Sequence, residues 1–384
     1  MFKKISGKLA LATIGLIAPF GVAQAENLPK NMTWMAYQTT SSGYAQTVAI
    51  ANMLKQQDGV NIRILPGKND VSRMTPLRDR NADFCNCGAT VWMGQEGVYM
   101  FGQKEWGPQP LRILMSAFGS SGLMLIATES SGIQTVADVK GARVATIKGS
   151  DSVNWSLQAL LAFGGLTLND VEVVEVSGTG ADLQAILDGR VDVTFTSTLS
   201  PMTQQVSASN HGLTWLPMPK EDTEGWARVR ELAPYFVPNT VTVGTEVSAE
   251  APLEGANYPY PILTANADQD EEVVYQLTKS MVENFDQYKD GAPGATGWAL
   301  GSQNLQWAIP YHDGTIRYFK EIGKWTEADQ AYNDGLVQRQ EVLKTAWQDY
   351  SAAAASAEGD AFSTGWMAAR KAALEAAGLP VIFK

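Results

Sequence analysis

Short β-like runs alternate with amphipathic helical patterns along most of this chain, and the alternation restarts after the apolar run Leu123 to Ala127. Such a pattern calls for an α/β sheet covered by helices, and its restart calls for two similarly built lobes. The first set has strands at Thr33–Tyr37, Val60–Leu65, Ala82–Cys85 and Leu111–Phe118. Helical spacing falls between Ala45 and Gln57, and from a cap at Asn69 or Asp70 to about Asp79. In the second set Arg143–Ile147, Val171–Val176 and Val191–Thr196 read as strands, with helices at Ser150–Phe163 and Ala181–Leu187. Asp83 and Asp192 hold the same place in the two sets, each following a tight polar turn and standing just inside a buried strand. The segment from about Pro217 to Pro261 has no clear period. A return strand follows at Ile262–Ala265, then helices at Glu271–Phe285, Ile316–Ile322 and Glu327–Tyr350. Ser351–Glu358 is Ala-rich, either helix or a break before a last helix at Phe362–Ala377.

The N-terminus indicates the compartment. Lys3, Lys4 and Lys8 precede the apolar run Leu9 to Phe20, and Ala23-Gln24-Ala25 follows. That is the order of a secretory signal peptide, with the mature chain beginning at Glu26 in the periplasm. The apolar run is short of the roughly 20 residues that span a bilayer; a membrane anchor is the alternative. The formal charge of −11 becomes more negative without that leader, which argues against nucleic acid or anionic membrane as partners. Cys85 and Cys87 are the only cysteines. Their spacing on an extended strand is poor for a bridge, so two buried free thiols are expected; a bend at Asn86 is what a bond would need.

Enzyme chemistry finds little support. His211 and His312 are the only histidines and lack metal-ligand spacing. No nucleophile elbow, Walker loop or dinucleotide fingerprint occurs, so no metal, cofactor or catalytic residue is expected. Turns of small polar residues at strand-to-helix junctions carry more information. They are Gln38–Tyr44, with Thr39, Ser41, Ser42, Gly43 and Tyr44; Pro66–Asp70, with Lys68 and Asn69; Asn86–Thr90, with Cys87, Gly88 and Thr90; and Lys148–Ser152, with Gly149, Ser150, Asp151 and Ser152. Each offers hydroxyls and free N–H groups at a positive helix end, which suits a carboxylate, with Lys68 as countercharge. Any one of them alone is ordinary capping, but four in α/β order suggest a ligand cleft beyond the strands' carboxyl ends. Thr198 and Tyr235 complete the expected set. The eleven Trp are scattered; Trp155, one turn into its helix, reads as packing or as a cover over ligand.

Several motifs resemble the TAXI-type solute receptors of TRAP transporters. They include the Ser-Gly-Tyr loop at 42–44, the run Leu77 to Asp83, Ser131-Gly132-Ile133, Asp138 to Val144, Gly149-Ser150, Asp188 to Asp192, Pro234 to Pro238, and Glu272 to Lys279. The similarity spans roughly Thr33 to Ile322 and departs from the family in the first two loops and at Cys85-Asn86-Cys87. It implies a bilobal periplasmic-binding-protein fold of the two-crossover type. Lobe I would comprise 26–122 and 263–324, lobe II 123–262, and a helical extension 325–384. It further implies a monomeric receptor that delivers a small organic anion to TRAP permease subunits. A receptor for an ATP-driven importer is the nearest alternative, and a sensory or scaffolding receptor a third.

Overall fold

A computed structural model describes residues 28–383. The leader reading lies outside the described residues. Lobe I begins with β1 (Asn31–Tyr37), α1 (Ser42–Gln57), β2 (Asn61–Gly67), α2 (Asp70–Arg78), β3 (Phe84–Cys87), α3 (Thr90–Glu96) and β4 (Leu111–Ser116). The chain then crosses into lobe II, with β5 (Leu123–Ala127), β6 (Arg143–Ile147), α4 (Asp151–Phe163), β7 (Glu172–Val176), α5 (Ala181–Leu187) and β8 (Val193–Ser197). It continues through α6 (Pro201–Ser207), β9 (Thr214–Trp215), α7 (Thr223–Leu232) and the ribbon β10 (Val237–Val241) and β11 (Leu253–Asn257). It returns through β12 (Ile262–Asn266), α8 (Glu271–Glu283), α9 (Phe285–Tyr288) and α10 (Asp313–Glu321), and ends in α11 (Glu327–Ala353) and α12 (Gly359–Ala376).

Both sheets follow one plan. The orders are β2-β1-β3-β12-β4 and β7-β6-β8-β5-β9. In each, three parallel strands are joined by one antiparallel strand that has just crossed from the other lobe: β12 in the first and β5 in the second. This is the bilobal, two-crossover α/β architecture expected from the sequence. The crossings lie side by side, since Ala117 N–H donates to Pro261 O at 2.9 Å and Tyr260 N–H to Ala117 O at 2.7 Å. The echo between the two sets also has a structural cause. Asp83 accepts from the Thr33 N–H on β1 at 2.7 Å, and Asp192 accepts from the Arg143 N–H on β6 at 3.0 Å. In each lobe a carboxylate ahead of the third strand pins the first.

Several helix starts carry side-chain caps. Ser41 caps α1 by accepting from Tyr44 N–H at 3.1 Å, and Asn69 and Ser72 form a reciprocal capping box on α2. Thr326 and Asp329 do the same for α11. The aperiodic 217–261 segment contains α7 and the five-residue strands β10 and β11, too short and Pro-broken for a legible period. The Ala-rich stretch proves to be a break after Ala353, and α11 and α12 pack together through Trp347, Tyr350, Phe362 and Trp366. No helix of the described residues is long and apolar enough to cross a membrane.

The cysteine expectation is corrected: Cys85 and Cys87 are disulfide-bonded, with Cα atoms 5.4 Å apart. Two fully extended residues would span about 6.6–7.2 Å, so the end of β3 bends at Asn86 and brings both side chains into bonding range. Because the closed loop is so short, opening the bond releases little chain entropy, about 1.6 kcal/mol. Intact mass should therefore read two hydrogens below the dithiol value, and Cys85→Ala with Cys87→Ala should lower stability only modestly. A full dithiol mass would refute the pairing.

Candidate functional site

A cavity of about 70 Å³ lies between the lobes. Its lobe I wall is the β1–α1 turn, with Gln38, Thr40, Ser41 and Ser42, and Tyr37, Tyr258 and Tyr260 also line it. Thr179, Gly180, Asp182, Leu183 and Phe195 to Ser197, with Ser200 and Met202, line it from lobe II. The space is well below the roughly 300 Å³ at which drug-sized sites begin, which suits a small solute. Helix α1 carries no acidic residue in its first turn, so its positive end is open to a ligand's charge. Tyr260 stands over that end, its hydroxyl 2.9 Å from where a Cβ on Gly43 would lie.

The tyrosines form a connected floor. Tyr37 meets Tyr260 edge-on at 5.3 Å between ring centroids, and Tyr258 lies 6.4 Å from Tyr260. The Arg73 guanidinium stacks 3.8 Å from the Tyr37 ring centroid. Burial pushes the Tyr37 phenol up to about 12, opposed by Arg73, so it stays a neutral hydrogen-bonding group. A side chain at Gly88 would collide with this floor, since an added Cβ would lie 2.5 Å from the Tyr37 hydroxyl. Among the described residues, Asp182 is the only ionisable carboxylate or base lining the cavity. Burial raises its pKa, against the Leu183 and Gly180 N–H groups and the Thr194 hydroxyl that bond it.

The lobes meet in a closed seam beside this cavity. Gly149 O accepts from Asp70 N–H at 3.0 Å, and Lys68 O accepts from Thr179 N–H at 2.9 Å. Asn69 Nδ2 donates to Lys148 O at 3.1 Å. The Asp70 carboxylate, wholly buried, takes the Arg73 guanidinium at 2.6 Å and, from the other lobe, the Ser152 N–H at 2.8 Å and hydroxyl at 3.0 Å. Asp151 reaches back to the Met100 N–H at 3.1 Å. Its pKa is raised by burial, and Asp70 adds to the rise.

The sixteen expected ligand residues are thus divided. Ser41 and Ser42 line the cavity. Thr39 is exposed at the tip of their loop, Tyr44 half-buried outside the lining, and Gly43 buried behind it, an added Cβ falling 2.9 Å from the Tyr260 hydroxyl. Cys87, Gly88 and Thr90 are buried and absent from the lining. Lys68, Asn69, Gly149, Ser150, Asp151 and Ser152 belong to or flank the seam, where Asp70 N–H, Asn69 Nδ2 and the Ser152 N–H and hydroxyl are spent across it, while the buried Ser150 hydroxyl has no partner among the described residues. The oxyanion that the α4 N-terminus attracts is the protein's own Asp70. Lys68, expected as countercharge, does not line the cavity and remains exposed. Thr198 serves the crossover, accepting from Gly122 N–H and donating to Val243 O, both at 2.9 Å. Tyr235 lines a different cavity. Trp155 proves a packing residue, donating to Leu232 O at 3.0 Å and meeting Tyr99 and Phe383.

The reading from sequence missed Tyr37, Tyr258, Tyr260 and Asp182. A fifth small polar turn, Ser177-Gly178-Thr179-Gly180 before α5, was the available signal for Asp182. The tyrosines at 258 and 260 sit among prolines that hid their element.

Two lobes closing on a small cavity at their double crossover make the bilobal α/β fold of the periplasmic-binding-protein type. The chain belongs to the NMT1-like family, whose model matches residues 37–323. Among solved structures it is similar to the alkanesulfonate-binding protein SsuA from Xanthomonas axonopodis pv. citri bound to MOPS, at 16% identity over 83% of this chain and 96% of that one, with a TM-score of 0.41. It is also similar to a putative L-cystine ABC transporter protein from Listeria monocytogenes, at 11% identity over 72% and 100%, with a TM-score of 0.43. A third is an amino acid ABC transporter substrate-binding protein from Streptococcus pneumoniae bound to L-arginine, at 12% identity over 68% and 91%, with a TM-score of 0.40.

Proposed function

We propose that this protein is an extracytoplasmic receptor that captures a small carboxylate-bearing solute between its lobes and delivers it to a membrane importer. The observation that carries this reading is the cavity at the acid-free start of α1, walled by hydroxyls from both lobes. Backbone N–H groups at a helix start and hydroxyls stabilise a carboxylate without a paired cation. Asp182 on the opposite wall favours an amino acid over an oxo acid, since its carboxyl oxygens can accept from an ammonium, a donor that an oxo acid lacks. Closure follows from the two-walled site: a ligand touching both lobes binds the closed form better, and that difference alone shifts the population. The function is binding and release, without turnover.

Loss of one hydrogen bond to a charged group costs about 1.5–3 kcal/mol, roughly ten- to a hundredfold in affinity. Ser42→Ala should weaken carboxylate binding by that factor in calorimetry while leaving the unliganded melting temperature nearly unchanged. Undiminished affinity would move the site away from α1.

The importer's energy source has two readings. Named relatives of known structure include receptors of ATP-driven importers, which favours that partner, whereas the motifs from 42 to 279 resemble receptors of ion-coupled TRAP permeases. Uptake by cells that survives an ionophore but not ATP depletion supports the first; the reverse supports the second.

A further inference from the structure

A second cavity, of about 560 Å³, shares no lining residue with the cleft cavity and takes about half of its wall from the C-terminal extension, the rest coming from lobe I and from Pro234, Tyr235 and Val237 of lobe II. Its volume falls in the range of small-molecule sites. Trp92 of α3, Trp307 and Tyr235 of lobe II line it, and α11 and the tail Leu379–Ile382 close its other sides. The family match ends at residue 323, so α11 and the tail are additions to the shared fold. Two features show that this space is left open by the local sequence. Gly335, in the middle of the 27-residue helix α11, faces it, and an added Cβ there would touch nothing within 4 Å. Tyr332, one turn earlier on the same wall, is 40% exposed.

The charge beside this space is unbalanced. Arg339 lines the cavity and is nine-tenths buried, and Arg370 is wholly buried behind it. Both pair with the single carboxylate of Glu96, leaving one positive charge in excess among the described residues. Arg339 has five N–H donors, of which two go to Glu96 and one to Pro380 O. A buried positive excess is stabilised by an incoming anion.

We propose that this cavity is a second ligand site, taking a planar aromatic molecule with a single carboxylate: the ring among Trp92, Tyr235, Trp307 and Tyr332, the carboxylate at Arg339. Edge-on and stacked aromatic contacts hold the ring, and the two remaining Arg339 donors meet the acid.

Calorimetry with indole-3-acetate and its neutral amide, indole-3-acetamide, on the full chain tests this. The acid should bind saturably at one per chain and the amide at least tenfold more weakly. Gly335→Trp, which fills the cavity from an open helix face, should weaken the acid at least tenfold without lowering the melting temperature. Ser42→Ala, a cleft variant, should bind the acid as the wild type does. Absence of saturable binding, equal affinity for acid and amide, or indifference to Gly335→Trp would overturn the proposal. Loss of the acid in Ser42→Ala would place the probe in the interlobe cleft and overturn it equally.

Discussion

Glu96→Gln is expected to lower the unfolding free energy by about 3–5 kcal/mol, because it leaves buried guanidinium charge without its partner. Glu96 is wholly buried at the end of α3 and ties both terminal helices to lobe I. Its carboxylate accepts from Arg339 Nε at 2.6 Å and Nη2 at 2.7 Å, and also from Arg370 Nη2. Arg370 Nε donates to the Glu96 backbone carbonyl at 3.0 Å. Burial alone would raise the carboxyl's pKa; Arg339 and Arg370 hold it below the ordinary glutamate value of 4.5. A depressed folded pKa means that this stabilisation is complete above pH 4.5 and is lost as pH falls through the lower folded value. Urea unfolding at neutral pH measures the effect directly; a loss under 1 kcal/mol would show that the cluster does not anchor the extension.

Asp70→Ala should act on both stability and binding. In lobe I it leaves the wholly buried Arg73 without the carboxylate it meets at 2.6 Å, a change of about 3–5 kcal/mol. In the closed form it also strips the Ser152 N–H and hydroxyl of their acceptor. Those two bonds exist only when the lobes meet, so their loss disfavours closure by a further one to two powers of ten in ligand affinity. Chemical denaturation and calorimetry on one preparation separate the two effects. Ligand affinity equal to wild type would show that Asp70 belongs to lobe I alone and does not latch the lobes.

Much of the fold is legible because it is local. The strand-to-helix order of both lobes follows from hydrophobic period and caps such as Ser41 and Asn69, and the paired Asp83 and Asp192 mark the same pinning bond twice. The site is less legible because it depends on which turns face the cavity and which face each other. Nothing in Lys148–Ser152 distinguishes a turn awaiting a ligand carboxylate from one that receives Asp70 across the seam. That distinction is set by the packing of two lobes, a long-range property. The disulfide shows the same limit: the i, i+2 spacing reads as unfavourable only for a straight strand, and the bend at Asn86 is set by the surrounding sheet. Tyr258 and Tyr260 reach the cavity because the second crossover carries them there.

Closure has a seam of glycines that allows a direct test. Gly178 of lobe II abuts Lys68 of lobe I, where an added Cβ would lie 3.0 Å from the Lys68 Cβ. Gly178→Trp therefore places a bulky wedge between the lobes at a residue that does not itself line the cavity. Native mass spectrometry of both proteins, incubated with a mixture of standard amino acids and short oxo acids, reads capture directly. The wild type should retain one small carboxylate at one per chain, and Gly178→Trp should lose it. A wild type that retains none, or a wedge variant that retains the same adduct equally, would contradict capture by lobe closure.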